Sequence, residues 1–124
     1  MSFIDLFNEA DPTDRYNISC QKAYELIAAH KNDPDFMIID FRSIEAFLRC
    51  HLKHAEPIDA YSPDLKKKLD KLDRNNTYLI YCGIGVRSLA GLKIMLEMDF
   101  KNIHHMNEGI RGWRKNGYPV IKPE

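Results

Sequence analysis

The sequence of 124 residues predicts one α/β domain in which helices cover both faces of a mostly parallel β-sheet. Short, continuous apolar runs at residues 36–40 and 77–81 are typical of strands that are buried on both faces. Segments with apolar residues at helical spacing lie between the predicted strands, so strand and helix alternate along the chain. The composition agrees with a globular domain, because 44% of the residues are hydrophobic and 29% are charged.

The first half of the chain contains a leader and three predicted elements. Residues 1–16 are predicted to be the leader and residues 17–124 the domain. Ser19 is a good N-cap for a first helix, and Ser43 for a second helix that follows the strand at 36–40. The apolar residues of the leader are expected to pack on the domain; they are Phe3, Ile4, Leu6 and Phe7.

The second half continues the alternation. Residues 54–58 are predicted to form a short strand, and Ser62-Pro63 to open a helix with Pro63 at its first position, where proline is favoured. The strand at 77–81 is followed by a turn with two glycines and by a helix. A strand at 102–106 and a short helix at 109–116 complete the domain. The basic residues of the third helix are expected to face solvent; they are Lys66, Lys67, Lys68 and Lys71.

The charge balance and the cysteines limit the classes of partner and compartment. Eighteen basic against 18 acidic residues give a net charge of zero, which predicts no nucleic-acid partner. No apolar run approaches the roughly 18 residues that a membrane span needs, and the N-terminus lacks the features of an export signal. Three cysteines without a Cys-x-x-Cys pair predict a cytoplasmic protein without disulfides, in which Cys20 is buried and Cys50 partly exposed. We also expect a monomer or a weak dimer.

Two groups with useful chemistry lie where ligands gather in an open α/β sheet, beyond the carboxyl ends of the strands. Asp40 closes the strand at 36–40, and Cys82 follows the strand at 77–81. Gly83 and Gly85 then allow the backbone to curl with positive φ angles and to turn amide N–H groups inward. The next helix begins there, so its free N–H groups and the charge of Arg87 should favour a thiolate or a bound oxyanion. This combination indicates a reactive cysteine rather than a structural one.

Four segments, taken together, resemble the rhodanese family of sulfurtransferase domains over about residues 18–120. Ile-Ile-Asp-Phe-Arg at 38–42 resembles the family's Asp-x-Arg segment. Glu45-Ala46-Phe47, followed by His51-Leu52 and Ala55, resembles the stretch between the second and third strands. Tyr-Cys-Gly-Ile-Gly-Val-Arg-Ser at 81–88 resembles the active loop. The closing segment is matched by Gly109-Ile110, Trp113 and Gly117-Tyr118-Pro119-Val120.

The resemblance implies a three-layer sandwich with a five-stranded, mostly parallel sheet. It also implies that Cys82 takes a sulfane sulfur from a donor such as thiosulfate, becomes a persulfide, and passes the sulfur to an acceptor such as a thiol or cyanide. Asp40 and Arg42 would brace the sheet edge and the loop, Arg87 would bind the anionic donor or shape the loop, and no cofactor is implied. The backbone N–H groups of the loop would stabilise the persulfide anion; the loop residues are Gly83, Ile84, Gly85, Val86, Arg87 and Ser88.

The length of the loop separates two activities within the resemblance. The segment from Cys82 to Arg87 spans six positions. Sulfurtransferases of the family use this length, whereas related phosphatases use one residue more, because a phosphate needs a wider ring of N–H donors. The short loop therefore argues against phosphatase or arsenate reductase activity. Thiosulfate, a protein persulfide and mercaptopyruvate stay open as donors, and a non-turnover sulfur carrier or partner-binding module, serving a sulfur-relay protein, is the alternative to an enzyme.

The chain departs from the family pattern at two positions and contains five histidines. His54 and Glu108 occupy positions where the family usually has glycine; His54 is expected to alter a turn, and Glu108 to reduce the affinity for anionic donors. No cysteine or carboxylate completes a ligand set around the five histidines, so no metal site is predicted. His104 and His105 are adjacent in a strand and should point to opposite faces of the sheet.

Overall fold

A five-stranded sheet lies at the centre of the computed structural model, which describes residues 11–123. Its neighbouring strands are all parallel, in the order β1-β5-β4-β2-β3, so β4 is the central strand. The predicted α/β sandwich with a mostly parallel sheet is thereby confirmed. The apolar leader residues Phe3, Ile4, Leu6 and Phe7 lie outside the described residues. The strands are β1 (Asn17–Ile18), β2 (Phe36–Asp40), β3 (Ala55–Pro57), β4 (Thr77–Tyr81) and β5 (Asn102–Met106).

Within the described part of the chain, five α-helices flank this sheet, and a 3-10 helix at Pro12–Tyr16 precedes β1. The hydroxyl oxygens of Ser19 and Ser43 accept hydrogen bonds from backbone N–H groups three residues further on, which confirms both predicted N-caps. The helices are α1 (Cys20–Ala29), α2 (Ile44–Arg49), α3 (Leu65–Leu69), α4 (Val86–Glu97) and α5 (Gly109–Lys115).

Two hydrophobic cores form because successive residues of a strand point to opposite faces of the sheet. Ile39 and Ile80 pack with residues of α3 and α4 on one face. Ile38 and Leu79 pack with residues of α1 and α5 on the other face. The result is the three-layer sandwich that the resemblance implies, with the ends of the strands left open to the connecting loops.

Two local predictions are wrong. The third helix begins at Leu65, so Pro63 lies in the preceding turn and not at the first helical position. The Ser62 hydroxyl donates to the Asp64 carboxylate, and the Leu65 N–H donates to the Ser62 carbonyl, so this turn is already closed before the helix starts. Cys50 is only 7% exposed, because it follows the end of α2 and enters the core on the α1 and α5 side of the sheet.

The surface agrees with the expected solvated face of α3. Lys66, Lys67, Lys68 and Lys71 are all exposed. Among the described residues, no helix combines the length and the apolar character that crossing a membrane requires.

Candidate active site

Two turns pack against each other beyond the carboxyl ends of β4 and β5, and each needs a glycine at the point of contact. Gly85 has a φ of +96°, and a Cβ there would overlap the carbonyl oxygen of Asn107. Gly109 has a φ of +71°, and a Cβ there would overlap the carbonyl oxygen of Gly83. Gly83 itself has no positive φ, so Gly85 alone supplies the predicted left-handed curl of the loop.

The sulfur of Cys82 lies inside the curled turn. The Gly85 N–H donates a hydrogen bond to Sγ at 3.1 Å, and Ser88 Oγ lies 3.1 Å from the same sulfur. Gly85 is also the N-cap of α4, so the sulfur lies at the amino end of a 12-residue helix, where the helix dipole favours negative charge. Cys82 is only 2% exposed, yet the Gly85 N–H and the Ser88 hydroxyl contact its sulfur, and both groups can donate to an anionic sulfur.

The outer side of the loop carries apolar side chains and one cation. Ile84 and Val86 are 60% and 61% exposed. The Arg87 guanidinium carbon lies 4.7 Å from the centre of the Tyr61 ring, a cation–π contact that holds the charge beside the loop. This geometry holds the positive charge of Arg87 beside the loop, next to Tyr61.

A buried histidine that the sequence analysis did not select lies behind the sulfur. Ser88 is fully buried, and its Oγ is 2.7 Å from Nε2 of His105. His105 is 2% exposed, and its Nδ1 lies 3.0 Å from Oδ1 of Asn17. Burial lowers the pKa of His105 to about 4, so the ring is neutral at neutral pH. The contacts therefore form a chain from Cys82 through Ser88 and His105 to Asn17.

The alternation of side chains between the two faces of β5 indicates in part that His105 is buried beside the site. His104 is partly exposed and His105 is buried, which confirms that they point to opposite faces. Ile103 shares a face with His105 and packs in the core beside α4, so a polar residue two positions later points towards that helix. Asn17 carries no comparable signal, because it reaches the site only through the pairing of β1 with β5.

Asp40 and Arg42 form a partly buried ion pair next to the site. Asp40 is fully buried, and Nη2 of Arg42 donates to its carboxylate at 2.8 Å and to the Cys50 carbonyl at 2.6 Å. The Tyr81 hydroxyl donates to the same carboxylate at 2.7 Å, and burial together with Asp40 raises the pKa of Tyr81. These bonds connect β2 with β4 and with the end of α2, but they do not reach Cys82.

The two departures from the family pattern have different surroundings. Burial, reinforced by the negative charge of Glu108, raises the pKa of Cys20 to about 11. Cys20 is 1% exposed, as predicted, and therefore stays a neutral thiol. His54 has a φ of +68°, which explains why a glycine would suit this turn.

A second concave region lies at the amino ends of the strands, away from the cysteine loop. A groove of about 940 Å³ runs past the amino ends of the strands, and Phe36, Tyr78 and Trp113 contribute to its wall. Cys82 does not line it, so the groove and the thiol are separate features. Over residues 11–123, no group of three or more histidine, cysteine or carboxylate side chains is arranged to hold a metal ion.

The fold and the cysteine loop define a class: an α/β domain with a cysteine at the carboxyl end of its central strand, wrapped by a turn that opens a helix. The rhodanese-like domain family matches residues 21–116, and the chain belongs to that family.

Curated relatives with this domain are longer proteins. The chain is 30% identical to the tRNA uridine(34) hydroxylase of Pectobacterium atrosepticum over 105 residues, which cover 81% of the chain and 30% of that protein. It is 28% identical to the protein of the same name from Buchnera aphidicola, over 85% of the chain and 35% of that protein. The chain thus spans about a third of the length of these relatives.

Solved structures share the fold. A rhodanese-related protein from Thermoplasma volcanium superposes with a TM-score of 0.72 at 26% identity, over 85% of this chain and 96% of that one. A protein of Rhodopseudomonas palustris described as a possible tyrosine phosphatase has a TM-score of 0.66 at 21% identity, over 85% and 83% of the two chains. The second likeness shows the fold alone.

Proposed function

We propose that the chain is a sulfurtransferase in which Cys82 accepts a sulfane sulfur as a persulfide and passes it to a thiophilic acceptor. The proposal depends on one observation, the placement of the Cys82 sulfur 3.1 Å from the Gly85 N–H and 3.1 Å from Ser88 Oγ at the amino end of α4. These donors offset the charge of a persulfide anion. Membership of the rhodanese-like family supports this chemistry.

Thiosulfate is the proposed small donor. Arg87 presents a fixed positive charge at the rim of the loop, and the sulfur lies at the positive end of a helix, so the site attracts a small dianion. The attack of Cys82 on the outer sulfur of thiosulfate would release sulfite and leave the persulfide. The three unpaired cysteines also support our proposal of a reducing, cytoplasmic compartment.

Intact mass spectrometry after incubation with thiosulfate tests the proposal directly. We expect the wild-type chain to gain one sulfur atom, which cyanide then removes as thiocyanate. Cys82→Ser should gain none, whereas Cys50→Ala, the matched control that removes another buried cysteine, should gain one. An unmodified wild-type chain, or a sulfur that maps to Cys50, would reject thiosulfate transfer by Cys82.

A second candidate function is a carrier that receives sulfur from a protein and has little turnover with small donors. The 2% exposure of Cys82 favours it, because a loop that covers its sulfur can be opened by a docked partner. Incubation with a persulfide-bearing cysteine desulfurase distinguishes the two. Sulfur uptake from the desulfurase but not from thiosulfate supports the carrier; efficient turnover of thiosulfate with cyanide supports the enzyme.

The name of the curated relatives suggests RNA as a partner of this chain, whereas the net charge predicts no nucleic-acid partner. They are called tRNA uridine(34) hydroxylases, whereas this chain has a net charge of zero. We propose that this chain alone does not bind tRNA, because phosphate contacts need an excess of basic residues on one surface. Gel-shift titration with bulk tRNA at low salt tests this, and a shift abolished by neutralising Lys66, Lys67, Lys68 and Lys71 would contradict it.

A further inference from the structure

The hydrogen bonds behind Cys82 have a defined order of donors and acceptors, and the side chain of Asn17 determines it. Its Oδ1 can only accept a hydrogen bond, so Nδ1 of His105 at 3.0 Å must carry the proton. A neutral ring has one N–H, so Nε2 of His105 is then an acceptor. Ser88 has a single hydroxyl proton, and it donates this proton in a hydrogen bond to Nε2 at 2.7 Å. In this neutral arrangement the Ser88 oxygen, 3.1 Å from Sγ of Cys82, therefore turns a lone pair towards the sulfur and accepts from its S–H.

The same four groups support a second proton arrangement. If the Cys82 proton moves to Ser88 while the Ser88 proton moves to His105, the ring becomes an imidazolium and the sulfur becomes an anion. Nε2–H then donates to Ser88, and the Ser88 hydroxyl donates to the sulfur. Both arrangements contain the same number of protons and use the same two short contacts, so no heavy atom has to move.

We propose that His105, acting through the Ser88 hydroxyl, takes up the proton of Cys82 when its sulfur attacks an electrophile. Because His105 touches neither the sulfur nor the donor, it is a positioning residue for the reaction. Its near-complete burial, with Asn17 and Ser88 as its only hydrogen-bond partners among the described residues, leaves the ring no competing proton donor or acceptor.

Applied to sulfur transfer, which rests on the proposed function, the step balances. The Cys82 sulfur forms a bond to the outer sulfur of thiosulfate, and the sulfur–sulfur bond of the donor breaks with its electron pair leaving on sulfite. The thiol proton moves to Ser88 and the Ser88 proton to His105. The persulfide anion is then paired with the imidazolium. When an acceptor removes the terminal sulfur, Cys82 recovers its proton by the reverse path.

The groups around His105 define the pH range of this relay. Asn17 faces it from β1, Ser88 from α4, and the apolar Ile80 is its partner in β4. Among residues 11–123, the titratable group that faces it is Cys82, through Ser88. Burial lowers the pKa of His105 to about 4, so above that pH the ring is neutral and its Nε2 is free to accept a proton.

The rate of Cys82 alkylation by iodoacetamide, measured against pH by peptide mass spectrometry on the full chain, tests the relay without a sulfur donor. With the relay, the thiol form reacts, so the wild-type rate should reach a level region as the pH is lowered and stay level down to about pH 4. In His105→Gln only the free thiolate reacts, so the rate should fall about tenfold per pH unit over that range. Ser88→Ala, which removes the bridge, should give the same slope.

His104→Gln is the matched control, because it changes the neighbouring histidine on the opposite face and should keep the level region. A histidine that only packs would change stability but not the shape of the profile. Parallel profiles for wild type, His105→Gln and Ser88→Ala would overturn the relay, as would a native wild-type Cys82 that is not alkylated at any pH. If His105→Gln does not fold, Ser88→Ala decides alone. Sulfur uptake from thiosulfate is scored separately, so failure of the relay and failure of the proposed function remain distinct.

Discussion

At the residue scale, Arg87 places a positive charge beside the loop but makes no hydrogen bond to the Cys82 sulfur. The guanidinium stacks on Tyr61 beside the loop and is partly exposed. In this position it can attract an anionic donor, but it cannot replace the amide and hydroxyl that contact the sulfur. Its effect should therefore fall on donor binding rather than on the chemical step.

We expect Arg87→Ala to raise the KM for thiosulfate about fivefold, because a rim charge contributes roughly 1 kcal/mol to binding a small anion. The kcat should change by less than about threefold. Steady-state thiosulfate:cyanide assays provide the measurement. Lys93→Ala removes one exposed positive charge from the same helix, away from the loop, and should leave both constants unchanged. An equal rise in KM for the two variants would show that the net charge of the chain, and not the position of Arg87, controls donor binding.

His54 is a second residue whose conformation has a measurable cost. A residue other than glycine with a φ of +68° loses roughly 1 kcal/mol relative to glycine in the folded state, and the flexibility of glycine in the unfolded chain returns part of it. We therefore expect His54→Gly to raise the free energy of unfolding by about 0.5 kcal/mol. Urea denaturation measures it.

Lys53→Gly, at the preceding exposed position, is the control for His54→Gly. Lys53 has no positive φ, so glycine there brings only unfolded-state flexibility and should lower the free energy of unfolding by about 0.5 kcal/mol. The two substitutions should thus have opposite signs. Destabilisation by both would show that the His54 side chain makes contacts that outweigh its backbone strain.

At the element scale, the turn between β4 and α4 separates what the sequence predicts from what it does not. The strand boundaries at 77–81, the cysteine after them and the helix that follows could all be predicted, because apolar runs and glycine are local signals. The unequal roles of Gly83 and Gly85 could not be predicted. They depend on Asn107, which belongs to the next turn of the fold and contacts only one of them.

This difference predicts that two alanine substitutions in the same loop have very different effects on stability. Gly85→Ala should lower the free energy of unfolding by more than about 2 kcal/mol and abolish sulfur uptake, since the new Cβ overlaps the Asn107 carbonyl at a positive φ. Gly83→Ala should leave stability within about 0.5 kcal/mol, because an added Cβ would have no atom within 4 Å apart from those of Gly83 and its two chain neighbours. Urea denaturation and intact mass after thiosulfate provide both readouts. A tolerated Gly85→Ala would contradict the packing of the two turns.

At the scale of the whole molecule, the site joins residues that are remote in sequence. Asn17 and His105 are 88 positions apart, and the pairing of β1 with β5 brings them together. The sequence predicts Cys82 and the loop from local patterns, and the family resemblance adds their chemistry. It does not predict the Cys82–Ser88–His105–Asn17 chain, because β1 has only two residues and lacks the apolar run that marks β2 and β4. Predicting these contacts would therefore require the strand order, which is a property of the complete sheet.

Burial of His105 in this sheet also links the stability of the whole domain to pH. The pKa of His105 is about 4 in the folded chain and about 6.5 when unfolded, so between these values the unfolded state binds more protons. The free energy of unfolding should therefore be fully retained above about pH 6.5 and fall as the pH drops to about 4, by an amount on the order of 3 kcal/mol. Urea denaturation at several pH values measures this slope. His105→Gln, which cannot bind the proton in either state, should lose most of it, whereas His104→Gln should keep most of it. Equal slopes for wild type and His105→Gln would show that carboxylates, and not the buried imidazole, control acid unfolding.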